Sequence, residues 1–240
     1  MYLSKIIMRI AVISDIHSNL EALTAALHII DGQTVDDIVC LGDIVGYGAN
    51  PNECLSLVRQ RCRFILQGNH EAAVINIAFS ESFTELARTA ALWTRNQLTE
   101  NHLQFLGTLP LTVSYEHLFF VHASPNDPSS WEYLVNEWDA ILALQSFSEP
   151  ICFIGHTHVP GIFSIDGQKH SIAHGQRYLI NVGSIGQPRD RNPQLSFGIF
   201  DSATWTYQNF RASYDIETAS KKIIAAQLPI LLGQRLFLGV

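Results

Sequence analysis

The sequence predicts an α/β fold with a largely parallel sheet. Apolar strand-like runs alternate with segments of helical period through the first third of the chain, which is the pattern of βαβ units. Five of the apolar runs end abruptly in polar clusters containing Asp, Asn or His. The chain has 240 residues with an apolar fraction of 47% and only 15% charged residues, enough to bury a substantial core.

The first strand is expected at Arg9–Ser14, ending at Asp15. Residues 19–30 read as a helix, with Asn19 as N-cap and Leu20, Leu23, Ala26 and Leu27 on one face. A second strand at Asp37–Leu41 runs into Gly42-Asp43, and a helix with proline in its first turn follows over Pro51–Arg59. Arg63–Leu66 is a third strand, ending at Gly68-Asn69-His70. Ser80–Leu106 reads as a long helical region flanking or capping the core and shaping the substrate entrance. Leu111–Tyr115 and Leu118–His122 look like adjacent strands, Glu132–Leu144 a helix, and Ile151–Ile154 a strand ending at Gly155-His156. Several short strands are expected between Gly161 and Phe210, and two helices, Asp215–Ala226 and Pro229–Leu238, close the chain. No internal repeat or low-complexity linker divides it, so a single domain over 1–240 with a helical segment around 80–106 is expected.

The net charge of −7 and the lack of a Lys/Arg run disfavour long nucleic acids as partners. A small phosphorylated substrate held by metal ions is compatible with such a surface. Cys40, Cys54, Cys62 and Cys152 form no C-x-x-C pair and read as free thiols, Cys40 and Cys152 buried. The N-terminal apolar run is broken by Lys5 and Arg9 and has no small-residue cleavage site, so it is not read as a signal peptide; Met8 is an alternative start. No apolar stretch reaches the ~18–20 residues that cross a bilayer. A cytoplasmic protein without membrane contact is expected, its oligomeric state open.

The polar clusters are Asp15-Ile16-His17, Gly42-Asp43, Gly68-Asn69-His70, Val121-His122 and Gly155-His156-Thr157-His158. Ligand sites in α/β sheets form beyond the carboxyl ends of strands, so these clusters can converge. Together they gather two aspartates, one asparagine and five histidines, a set that suits Mn, Fe, Zn, Co or Ni better than Ca or Mg. Each motif is weak alone; their order, each behind a strand, is specific.

In that order SDIH (Ser14–His17), LGDIVGYG (Leu41–Gly48), QGNHE (Gln67–Glu71), FVHASP (Phe120–Pro125) and IGHTH (Ile154–His158) resemble the calcineurin-like metallophosphoesterase superfamily. With NVGSIGQPRD (Asn181–Asp190), they look like a bacterial branch related to diadenosine tetraphosphatases and protein phosphatases. The resemblance covers most of the chain. It implies a four-layer α/β/β/α sandwich of two mixed β-sheets flanked by helices, and two metal ions, Mn first among the candidates. Asp15, His17 and His158 would hold one metal, Asn69, His122 and His156 the other, and Asp43 would bridge. A metal-held hydroxide would attack phosphorus, with two cations about 3.5–4 Å apart holding the phosphoryl oxygens. His70 would be the catalytic residue, stabilising the phosphate or protonating the leaving oxygen.

Glu71 reads equally as a carboxylate orienting a histidine or as an acid favoured at a helix N-terminus. Asn19 is preferred as a cap over a substrate contact. Arg189 is open between a distal-phosphate ligand and a solvated loop residue, and Tyr47 between lining the pocket and packing. His28, His102, His117, His170 and His174 match no motif, and Trp93, Trp131, Trp138 and Trp205 read as packing residues. The superfamily's protein phosphatases carry an arginine in a G-D-x-V-D-R-G loop. Gly42–Gly48 lacks it, which weakens protein phosphatase and symmetrical dinucleoside tetraphosphatase activity and leaves a small-molecule phosphodiesterase or nucleotide phosphatase preferred. A non-catalytic scaffold would show eroded ligands, and a metal-binding regulator would not need His70; all seven ligand positions and His70 are intact.

Overall fold

The computed structural model describes residues 7–240, so the reading of the extreme N-terminus lies in part outside the described residues. Two mixed sheets stack face to face between helices, as the resemblance implied. The first sheet has the order β11-β10-β1-β2-β3, from Thr206–Ala212, Leu195–Asp201, Arg9–Ile13, Asp37–Cys40 and Phe64–Ile65. The second has the order β4-β5-β6-β9-β7-β8, from Thr112–Tyr115, Leu118–Val121, Ile151–Ile154, Tyr178–Asn181, Gly161–Ser164 and Gly167–Lys169.

Strand alternation makes both faces of each sheet apolar. In β1, Ile10 and Val12 face the second sheet, where they meet Phe120 of β5 and Phe153 of β6; Ala11 and Ile13 pack with Leu23, Ala26 and Ile30 of the helix α1 (Leu20–Asp31). In β6, Ile151 and Phe153 face the inter-sheet core, while Cys152 and Ile154 pack with Ala140 and Ala143 of a later helix, Glu137–Ala143.

The strands that carry the motifs run parallel: β1 beside β2 and β2 beside β3 in one sheet, β5 beside β6 and β6 beside β9 in the other. Their carboxyl ends therefore open on the same edge of the sandwich. The helix α2 (Pro51–Arg61) follows as expected, and α3 (Asn69–Ile75) starts inside the Gly68-Asn69-His70 cluster.

The expected long helical region is broken into a 3-10 helix (Ile77–Ser82), α4 (Glu85–Gln97) and α5 (Glu100–Leu106). The Thr84 and Thr99 side chains cap α4 and α5, accepting from the Ala87 and His102 amides, which competes with a continuous helix. The helix expected over Glu132–Leu144 shortens to α6 (Glu137–Ala143). Asn136 caps it, and the preceding chain is extended with the Tyr133 ring stacked on His156. Only one side of α6 is covered, so Trp138 is 75% exposed and does not pack as expected. At the C-terminal end, α7 (Ile216–Ala225) and α8 (Ile230–Leu238) pack on α4 through Ala219, Ile223, Leu232 and Leu236. The four cysteines are free, with Cys40, Cys54 and Cys152 buried. Among the described residues no helix is long and apolar enough to cross a membrane.

Candidate metal centre

The strand-end loops are held in backbone conformations that L-residues seldom adopt. Asp15, His17, Asp43, His156 and His158, five of the seven expected ligands, have φ between 50° and 63°. Such strain persists where the surroundings over-determine it, and it gathers at functional sites. The close approach of the loops requires two glycines: a Cβ on Gly68 would lie 2.2 Å from Asp43 Oδ1, and one on Gly155 would lie 2.1 Å from Ser14 Oγ and 2.4 Å from Asp15 Oδ2.

Each aspartate has one oxygen fixed and one free. Asp15 Oδ2 accepts from the His156 amide at 2.9 Å, and Asp43 Oδ1 accepts from the His70 amide at 2.9 Å. Asp15 Oδ1 then lies 3.1 Å from His158 Nε2 and 3.7 Å from His17 Nε2. Asp43 Oδ2 lies 3.4 Å from His122 Nε2 and 3.7 Å from His17 Nε2, so a single oxygen faces both sides of the site.

The histidines are oriented through their far nitrogens. His17 Nδ1 donates to the Val45 carbonyl at 3.1 Å, His158 Nδ1 to the Gln187 carbonyl at 2.5 Å, and His156 Nε2 to the Trp131 carbonyl at 2.9 Å. A carbonyl only accepts, so these bonds fix the tautomers and leave His17 Nε2, His158 Nε2 and His156 Nδ1 as bare acceptors. The candidate ligand atoms fall into two groups within 4.8 Å, one of Asp15, His17, Asp43 and His158 and one of Asp43, His122 and His156, with Asp43 in both. Asn69 Oδ1 is a buried acceptor without a hydrogen bond, and neither His122 ring nitrogen has a hydrogen-bond partner. A set of buried lone pairs aimed at one another is unfavourable without cations, and this donor chemistry fits two of them.

Residues 8–204 match the family model of the calcineurin-like phosphoesterase superfamily domain. The chain belongs to that superfamily. It is 41% identical to the uncharacterized protein MJ0912 of Methanocaldococcus jannaschii, over 96% of this chain and 98% of that one. The crystal structure of a metallophosphoesterase from Sphaerobacter thermophilus is 40% identical, with a TM-score of 0.87 over 98% of this chain and all (100%) of that one. A hypothetical protein from Pyrococcus horikoshii, PH1004, shares the fold at 18% identity, with a TM-score of 0.81 over 97% of this chain and 98% of that one. The family is one of metal-dependent phosphoesterases, and the buried Asp/His groups of this member lie where its parallel strands end.

Electrostatics in this candidate site follow from burial and crowding. Burial raises the Asp15 carboxyl, but the His158 and His122 imidazoles outweigh it and hold it below the usual carboxylate range. Asp43 is likewise depressed: burial opposes, and His122 and His70 prevail. His122 reaches about 9, because the Asp43 and Asp15 charges overcome the burial that would lower it. His156 is lowered to about 3 and His70 to about 4, both mainly by burial.

Glu71 does not orient a histidine. Its carboxylate accepts from the Asp43, Ile44, Val45 and Gly68 amides at 2.7, 2.8, 3.1 and 2.8 Å, so it holds the bridging loop in place. Asn19 caps α1 and donates to the Gly186 carbonyl. His70 lies 4.8 Å ring to ring from His17 and 4.6 Å from Tyr47, and its Nδ1 is buried without a partner. His102 is a buried histidine bonded to Asn52, and His174 stacks on Trp205, both remote from the cluster motifs.

A cavity of about 370 Å³ opens above Asn69, His70 and His156, walled by Tyr47, Phe83, Trp131, Tyr133, Arg189 and Arg235. Four of these contributions escape a motif reading. The Trp131 carbonyl and Tyr133 ring fix His156 from a loop without sequence pattern, and Phe83 lies 5.0 Å from the His70 ring. Arg235 does leave a trace: it is the only charged residue of the helix ILLGQRLFL.

Proposed function

We propose that this protein hydrolyses a phosphoester bond of a small molecule, using two divalent cations, Mn first among the candidates. Asp15, His17 and His158 would hold one cation, Asn69, His122 and His156 the other, and Asp43, which belongs to both groups of candidate ligands, would serve both. The observation that carries the reading is the convergence of buried Asp and His ligand atoms in two groups that share Asp43, next to a cavity lined by Asn69, His70 and His156. Bound cations supply Lewis acidity to the phosphoryl oxygens and ready a water for attack.

The chain's own residues do the rest. Backbone carbonyls of Val45, Gln187 and Trp131 hold the ligating rings. Glu71 fixes the Asp43 loop. Burial lowers His70 to about 4, so its ring is neutral at physiological pH and offers a ring N–H as a hydrogen-bond donor to a phosphoryl or leaving oxygen.

The test is hydrolysis of bis-p-nitrophenyl phosphate and p-nitrophenyl phosphate by metal-stripped protein, with Mn2+ restored, beside Asp43→Asn. Metal-dependent turnover lost in the variant is expected. Turnover that survives both metal removal and the substitution contradicts the proposal.

A further inference from the structure

Two arginines from distant parts of the chain enter the same cavity. Arg189 comes from the loop after β9 and Arg235 from α8, and both are half-buried. Arg189 Nη2 donates to Gln187 Oε1 at 3.0 Å, its guanidinium lies 5.9 Å over the Tyr47 ring, and its Nε is buried without a partner. Arg235 Nε donates to an oxygen of the terminal carboxyl group of Val240, while Arg189 has no such partner. Burial lowers the Arg235 pKa, and the Arg189 charge lowers it further, so the two cations sense each other.

Among the described residues, neither guanidinium has an Asp or Glu carboxylate within 4.0 Å. In a chain of net charge −7, two arginines lining one cavity with no Asp or Glu partner form a local exception. Like charges that share a cavity wall repel unless an anion joins them, and two guanidinium forks match the geometry of phosphate. The cations at Asp43 account for one phosphate only. The arginines stand on the wall instead, beside Tyr47 and Tyr133, and partly exposed Phe79, Phe83 and Trp131 offer faces to a planar group.

We propose that Arg189 and Arg235 bind a second phosphate, carried on the leaving-group side of the bond that breaks. The substrate is thus a small molecule with two phosphate groups and a planar aromatic ring, of the nucleoside diphosphate class. This inference rests on the hydrolase reading above. Water oxygen bonds to the terminal phosphorus, and the P–O bond to the leaving group breaks with its electron pair on that oxygen. One proton from the water ends on the leaving oxygen or on the medium, and the other stays on the new phosphate.

Two measurements on the full chain separate the inference from its foundation. In metal-stripped protein, 31P line broadening reports binding of inorganic phosphate. Wild type is expected to bind at least about tenfold more tightly than Arg189→Gln/Arg235→Gln, with partial rescue by Arg235→Lys. In Mn2+-loaded protein, wild type is expected to favour ADP over AMP in kcat/KM. The ratio falls about tenfold in either glutamine variant, mainly through KM. Phosphate binding that depends on the arginines, without turnover of any substrate, keeps the subsite and sinks the hydrolase reading. Turnover with no preference for ADP, or phosphate binding indifferent to the arginines, overturns the subsite.

Discussion

His17 Nε2 and His158 Nε2 face each other at 3.1 Å in a site that excludes water, while the Nδ1 of each ring donates to a backbone carbonyl. Neither Nε2 carries a proton in that arrangement. Burial lowers the pKa of both rings, with the neighbouring His70 further opposing protonation of His17 and the Arg189 charge that of His158, so an imidazolium is disfavoured too. Two lone pairs at this distance repel. Ligands about 2.1 Å from one cation lie about 3 Å apart, so a shared cation turns the repulsion into coordination.

The metal-free protein should show a stability maximum near neutral pH. The pKa of His122 rises to about 9 on folding, so its contribution is full below its unfolded value of 6.5 and is lost as pH rises through 9. His70 and His156 fall to about 4 and about 3, so their contribution is present above 6.5 and is lost as pH falls toward those values. Glu71, raised to about 7 by burial and the Asp43 charge, offsets part of the acid-side slope, since its contribution is lost as pH rises from 4.5 through 7. Thermal melts in chelator at pH 5, 6.5 and 9 should peak at the middle value. A cation must displace the His122 proton, so Mn2+ affinity should climb between pH 6.5 and 9; a flat profile would contradict the tautomer and charge assignments.

Glu71→Gln removes one of the oxygens that receive the four amides and turns an N–H2 group toward donors. The expected cost is about 2–4 kcal/mol of stability, with buried amides left unpaired, and at least about tenfold in activity as the Asp43 loop shifts. Denaturant melts and steady-state kinetics check both; near wild-type behaviour would show that the loop holds itself.

Gly155→Ala places a methyl group against Ser14 Oγ and Asp15 Oδ2. Overpacking of this kind costs about 1–3 kcal/mol. Mn2+ affinity should fall with it, because the carboxylate that moves is a proposed ligand. A calorimetric titration showing unchanged affinity would place Asp15 outside the metal shell.

His70→Ala should lower kcat by about 10²–10⁴ while both cations stay bound, since the ring belongs to neither acceptor group. Loss of a cation in the variant, seen by elemental analysis, would make His70 a ligand instead of a hydrogen-bond donor.

The site was legible because its chemistry sits at strand ends. Asp15, Asp43, His122, His156 and His158 each follow an apolar run closely, and parallel strands bring such positions to one edge. The helix break between α4 and α5 was hidden because Thr84 and Thr99 are ordinary helix-surface residues until their side chains cap. The late start of the expected Glu132–Leu144 helix has a tertiary cause: Tyr133 and the Trp131 carbonyl are held by His156, a residue more than twenty positions away. Of the two readings of Glu71, the acid at a helix N-terminus is the one the structure shows, since it lies in the first turn of α3 and accepts from the Gly68 amide; its further role escaped for a similar reason. Its other three partners are amides of a loop nearly thirty residues earlier, whose approach no local pattern encodes.

The most direct test of the account is the number of Mn2+ ions bound per chain by metal-stripped protein, from a calorimetric titration checked by elemental analysis, in wild type and Asp43→Asn. Two ions in the wild type, with at most one retained tightly in the variant, is the predicted result. A single ion in the wild type, or two in both proteins with equal affinity, would contradict a centre built around a shared Asp43.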